Sequence, residues 1–225
     1  TPKPSSAASD VYKRQLLGIP DEKPTKVEDM ILPPRAFGVG VISIGMFVDP
    51  HTPVSWRGPM MHRTINQFLS DVYFGDLDVL VCDLPPGTGD VAISLGQLVP
   101  TADVLVVTTP QTSASDIAER SGLVARQLGQ RVIGVVENMS DWTDGDGVVH
   151  AMFGSGGGAE VAARLDVPLF GSIPLTPSVI AAGDSGVPFS RGKDTDAAVI
   201  AFDRIVDAVI ESAPRRGTAS IPLSV

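Results

Sequence analysis

The chain has 225 residues, 43% of them apolar and 19% charged, which is enough apolar material to bury a core and excludes disorder over most of its length. Seventeen Lys and Arg against 26 Asp and Glu leave a formal net charge of −9, which argues against nucleic acid as a partner because phosphate binding needs clustered cations. A single cysteine excludes an internal disulfide and a Cys-pair metal site within one chain, and no apolar run reaches the roughly 18–20 residues of a membrane span.

Residues 1–15 (TPKPSSAASDVYKRQ) are Ser-, Ala- and Pro-rich, then basic, with no helical or strand period. They read as a leader, either a disordered tail or a non-native junction, ahead of a native-looking sequence from Leu16. They contain no apolar stretch of the kind a signal peptide needs, and with the lone thiol this fits a cytoplasmic protein. Residues 39–44 (VGVISI) predict a strand. Pro59 stands where its missing N–H opens a helix without cost, and Met61, Ile65, Phe68, Leu69 and Val72 then fall on one helical face. Residues 79–82 (VLVC) predict a buried strand ending in Asp83, with Cys82 packed as a small hydrophobe.

Asp90 is placed to cap the next helix, in which Ile93 and Gln97 straddle a turn. A strand over 104–108 precedes a helix whose apolar face carries Ala114, Ile117, Ala118, Ser121, Val124, Ala125 and Leu128. A strand over 132–136, a helix over 158–165 and a short strand over 168–173 follow. Ala198, Ala201, Phe202, Ile205, Val206 and Val209 mark the final helix. Short β-branched runs alternating with helices predict an α/β fold, a mostly parallel sheet with helices on both faces. That body spans residues 16–212, with 213–225 as a flexible tail.

The sharpest motif is the apolar run closed by Asp83-Leu84-Pro85-Pro86-Gly87-Thr88-Gly89-Asp90. A carboxylate at the end of a strand is how nucleotide-binding α/β proteins reach Mg²⁺. Two prolines stiffen the following turn, and two glycines let backbone N–H groups approach a γ-phosphate and move when it leaves. Taken alone, Asp83 would equally serve to cap a loop.

The string DLPPGTGD resembles the switch of the Mrp-type ATPases, iron–sulfur cluster carriers among the deviant-Walker P-loop proteins. The resemblance continues upstream through residues 31–78. Downstream it runs through TTPQTSASDIAERSGLVARQLGQRVIGVVENMS and FGSGGGAEVAARLDVPLFGSIPLTPSVIAAGDSGVPF, covering roughly residues 16–210. It implies ATP binding, Mg²⁺, a homodimer and iron–sulfur apoproteins as recipients. Asp83 would then act as the catalytic-site carboxylate near Mg²⁺ or its waters, and Pro86, Gly87, Thr88 and Gly89 would shape the γ-phosphate loop. Asn138 would read the base edge, since a carboxamide pairs one donor and one acceptor, and Pro174 and Leu175 would line the base's other side. Read without the resemblance, Asn138 is an ordinary turn residue. Arg57, beside Trp56, is either a phosphate or partner contact or a surface residue.

Two features depart from that pattern. No Gly-x-x-x-x-Gly-Lys-Ser/Thr run occurs, and Lys3, Lys13, Lys23, Lys26 and Lys193 are the only lysines. The domain therefore reads as a deviant-Walker type without its first strand and P-loop, and the chain alone is expected to bind ATP poorly and hydrolyse it negligibly. The family's Cys-Pro-x-Cys segment is here an acidic stretch, residues 141–152 (DWTDGDGVVHAM), so the usual thiolates for a 4Fe-4S cluster are absent. His150 reads there as a loop residue. The rival readings are a MinD/ParA-like positioning ATPase and a non-catalytic interaction domain.

Overall fold

A computed structural model describes residues 14–47, 58–193 and 195–213. Two short antiparallel ladders come first, β1 (Thr25–Val27) with β2 (Met30–Leu32) and β3 (Arg35–Ala36) with β4 (Val39–Gly40). Helices α1 (Gly58–Ser70) and α2 (Asp90–Leu98) follow, then β5 (Asp103–Thr108), α3 (Thr112–Gln127), β6 (Arg131–Thr143) and β7 (Val149–His150). Next come α4 (Gly157–Arg164), β8 (Leu169–Leu175), α5 (Pro177–Ser185) and α6 (Ala197–Ser212).

The sheet is built on β6. Strands β5 and β8 flank it, both parallel, and β7 folds back antiparallel on its far end. Helices cover both faces, giving the α/β architecture expected from the alternation. Val135, Val161 and Leu165, all fully buried, form the main core with Val106, Ala118, Ala125, Val132 and Ala162, where α3 and α4 meet β5 and β6. Helix α6 lies on β8 so closely that a methyl group on Gly171 would come within 2.9 Å of Ile205 Cγ1. A second core joins Met61 and Ile65 of α1 to Leu95 of α2, which is the face the sequence spacing predicts. At the opposite end of the sheet, Arg131 donates from Nε and Nη2 to the Asp103 carboxylate at 2.8 and 2.7 Å and from Nη2 to the Ser212 carbonyl, tying β5, β6 and α6 together.

Two expected strands form differently. Of residues 39–44 only Val39–Gly40 is a strand, and Ile44–Met46 is a 3₁₀ turn capped by Ser43. Residues 79–82 form no strand, and Val79 and Val81 are 71% and 82% exposed. Apolar runs become strands only where a neighbour accepts their ladder bonds, and none of the described residues supplies one here. Cys82 is accordingly exposed rather than buried, although partial desolvation of its sulfur pushes the thiol pKa up. Gly89, not Asp90, is the N-cap of α2, and Asp90 occupies the first helical position, where its charge favours the helix dipole.

Of the expected leader, Arg14 and Gln15 are described. Arg14 is buried, its Nη1 donates to the Pro20 carbonyl at 2.7 Å, and its own carbonyl accepts from the Ile19 N–H. Residues 1–13, Trp56 and Arg57, and 214–225 of the expected tail lie outside the described residues.

Candidate functional site

In an open α/β sheet the strand carboxyl ends form the crevice where ligands bind. Here β6 and β8 end together. Their register pairs Glu137 with Ser172 and Asn138 with Ile173, the residue before Pro174, and Leu175 pairs further on with Trp142. Three of the expected site residues are thus gathered at one place by the sheet itself: Asn138, exposed, and Pro174 and Leu175, half-buried.

The pairing breaks between Asn138 and Trp142. Met139 adopts a left-handed φ of 57°, uncommon for a side chain with a Cβ, and its N–H donates to Asn138 Oδ1 at 2.9 Å. Beyond this kink the chain forms a hairpin with β7, pairing Trp142 with His150 and Thr143 with Val149. Asp144 closes the hairpin turn. Its Oδ1 accepts from the Asp146 and Val148 N–H groups at 3.0 and 2.9 Å, and its Oδ2 lies 2.7 Å from His150 Nε2. The His150 ring stacks on Trp142 with centroids 5.3 Å apart. His150, expected as a satisfied surface or loop residue, is satisfied as part of the hairpin, and it holds the Asp144 carboxyl below the ordinary carboxylate range with help from the Val148 N–H.

A cavity of about 490 Å³ opens between this hairpin, β8 and α6, with Glu137, Ser140, Asp141, Ser155, Ser172 and Pro174 supplying most of its polar edge and one wall. Its lining carries two carboxylates and three hydroxyls but no cationic side chain. Such a lining repels phosphate and suits a neutral, donor-bearing group. Glu137 is 6% exposed and was missed by sequence reasoning. The signal was a lone charge closing the apolar run Val132-Ile133-Gly134-Val135-Val136, a pattern that marks a carboxylate with a buried partner.

The switch residues lie elsewhere. Asp83, Pro86, Thr88 and Gly89 are exposed in the irregular segment ahead of α2, and Gly87 is half-buried with a φ of 93°. None of them lines the cavity. Among the described residues no three His, Cys, Asp or Glu side chains gather as a metal-binding group. No described helix is long and apolar enough to cross a membrane.

Sheet order and helix placement are those of an open α/β fold, and comparison with known proteins places it among the P-loop NTPases. A nucleotide-binding protein from Archaeoglobus fulgidus, solved in complex with ADP, superposes with a TM-score of 0.68 at 26% identity, covering 81% of this chain and 72% of that one. The septum site-determining protein MinD from Pyrococcus horikoshii, complexed with Mg-ADP, shares the fold with a TM-score of 0.57 at 18% identity, covering 87% and 77%. The family profile ParA, described as NUBPL iron-transfer P-loop NTPase, matches residues 11–210, and the chain belongs to that family. An iron–sulfur cluster carrier protein of Mycobacterium tuberculosis is 54% identical over 217 residues, 94% of this chain and 56% of the relative. The chain therefore spans about half the length of curated relatives it matches, 56% of this one.

Proposed function

We propose that this chain is the part of an iron–sulfur cluster carrier ATPase that reads the nucleotide base and carries the switch. In the full-length protein it would work as a cytoplasmic homodimer that binds ATP and Mg²⁺ and delivers a cluster, as cargo, to apoproteins. The observation that supports the reading is the β6–β8 register, in which Asn138 pairs with Ile173, next in sequence to Pro174, at the strand ends. A carboxamide there can donate to and accept from a base edge while Pro174 and Leu175 pack along the ring.

The residues fit the base and do not fit the triphosphate. No lysine follows a glycine loop in these 225 residues, so the chain supplies no cradle for the β- and γ-phosphates. Asp83 is proposed as the Mg²⁺-side carboxylate and Pro86, Gly87, Thr88 and Gly89 as the loop that follows the γ-phosphate. Cys82 is the only thiol in the sequence, so two copies would offer two thiolates where a bridging cluster takes four. A cargo cluster would need ligands other than a Cys pair from residues 141–152.

Asn138→Ala in the full-length protein tests the base reading. It is expected to weaken ATP binding about tenfold and to leave tripolyphosphate binding unchanged, as loss of one base contact would. Equal ATP affinity in the two proteins would overturn it. Anaerobic reconstitution followed by iron and sulfide analysis tests the carrier reading, and no iron above background would remove it.

A further inference from the structure

Glu137 is the most enclosed carboxylate among the described residues and lies where three elements converge. On β6 it pairs with Thr108 of β5 on one side and Ser172 of β8 on the other. Its Oε2 accepts the Gly158 N–H at 2.7 Å, and its Oε1 accepts the Ser172 hydroxyl at 3.2 Å. No Lys or Arg pairs with it among the described residues. Its partners are a backbone N–H in the first turn of α4, where the helix dipole favours an anion, and a single hydroxyl.

The glycine-rich turn is shaped to press onto this side chain. Gly154 and Gly156 have φ of 86° and 84°, which turn the chain into α4. A Cβ on Gly158 would lie 2.6 Å from Glu137 Cβ, and one on Gly157 would lie 2.6 Å from the Pro110 carbonyl oxygen. The turn therefore seats against β6 and the β5–α3 connection with no room to slide. The same turn ends the segment that begins with the Trp142–His150 hairpin, and the cavity lies between them.

We propose that Glu137 is a positioning residue for the base site. It clamps the start of α4 to the ends of β6 and β8, and so holds the register that carries Asn138 and Pro174 and closes one wall of the cavity, which Pro174 lines and Asn138 does not. This rests on the base reading of Asn138 given above. Glu137 acts through the fold rather than as a base contact: each carboxylate oxygen accepts a bond from within the fold, and the side chain also edges the cavity.

The test uses the full-length protein and three variants, Glu137→Ala, Glu137→Gln and Asn138→Ala, with a ribose-labelled fluorescent ATP analogue and with tripolyphosphate as probes. Glu137→Ala is expected to weaken the ATP analogue about tenfold while leaving tripolyphosphate unchanged, and to speed amide exchange at Asn138, Gly158 and Ser172 together. Glu137→Gln keeps an acceptor for the Gly158 N–H and an amide that can donate to the Ser172 hydroxyl, and is expected to restore binding to within about twofold. A general loss of structure would weaken both probes, and Gln would then give no selective rescue.

If Asn138→Ala weakens the analogue but Glu137→Ala does not, the positioning role is overturned while the base reading stands. If Asn138→Ala has no effect, the base reading falls. In that case unchanged amide exchange at Gly158 and Ser172 in Glu137→Ala would remove the clamp as well. Should Glu137→Ala fail to fold, Glu137→Asp replaces it. Its carboxylate is one methylene short, and binding equal to wild type with unchanged exchange at Gly158 would equally overturn the clamp.

Discussion

Asp144 does for the hairpin what a metal or a thiolate pair does in other small loops: it gathers the chain around one polar atom group. Its depressed pKa comes first from the His150 ring and next from the Val148 N–H. A carboxyl group held low when folded contributes stability that is fully present above its unfolded value, about 3.9, and is lost as the pH falls through the folded value. In a Trp56→Phe background, Trp142 is the remaining tryptophan and reports on the hairpin. Its fluorescence is expected to show a transition below pH 4, with His150→Ala moving that transition upward. An unshifted transition would detach His150 from the hairpin. Cys82 makes a second prediction at this scale. Its exposure makes it fully alkylatable by iodoacetamide in the native state, while its raised pKa places the half-maximal rate above the ordinary thiol value of about 8.5. A rate profile centred below that value would contradict the desolvation.

Helices end well or badly at single positions. The Asp196 carboxylate accepts the Ala198 N–H at 2.9 Å at the start of α6 and takes a further bond from the Ser178 hydroxyl, which holds its pKa down. Asp196→Ala is expected to cost about 1 kcal/mol in urea unfolding, the usual loss of an N-cap, and Asp196→Ser to recover most of it. No loss with alanine would mean that the cap contributes nothing. This capping Asp was legible only in hindsight, because Asp194, Asp196 and the threonine between them all suit the position. The longer elements were plain in the sequence. Helices α1, α3, α4 and α6, strands β5 and β8 and the first half of β6 carry apolar spacing of one period; β6 runs on to Thr143 and pairs with β7 in residues expected as an acidic loop, because the hairpin supplies the ladder partner. The strand at 79–82 carried the same signal but lacks a ladder partner, and strand formation depends on a neighbour that composition does not reveal. Of the candidate site, Asn138, Pro174 and Leu175 were legible as motifs. The bonds of Glu137 to Ser172 and Gly158 next to them were not, because they depend on a register between strands 35 residues apart and on where α4 starts.

Across the whole molecule, charge and exposed apolar surface oppose each other. Leu77, Val79, Leu80 and Val81 are 45 to 82% exposed in one short segment, and an unpaired apolar run of this kind invites strand addition between copies. The net charge of −9 resists that approach at neutral pH. Raising the salt from 0.15 M to 1 M shortens the screening length from about 8 Å to about 3 Å. Light scattering is therefore expected to show association that grows with salt and with concentration, and Val81→Lys is expected to suppress it. Association unaffected by that substitution would place the contact on another surface.

The arrangement of β6 also bears on the order in which the chain gains its structure. Both parallel neighbours of β6 are drawn from within 75 residues, and the main core lies inside that same window. Closing loops of this length costs little more than closing shorter ones, so the region from β5 to α6 can nucleate without waiting for what precedes it. The segment carrying Asp83 and Gly87 would then join a scaffold already formed, as the last and least cooperative part of the molecule. A part that orders late and opens easily is also the part most free to change shape without disturbing the sheet.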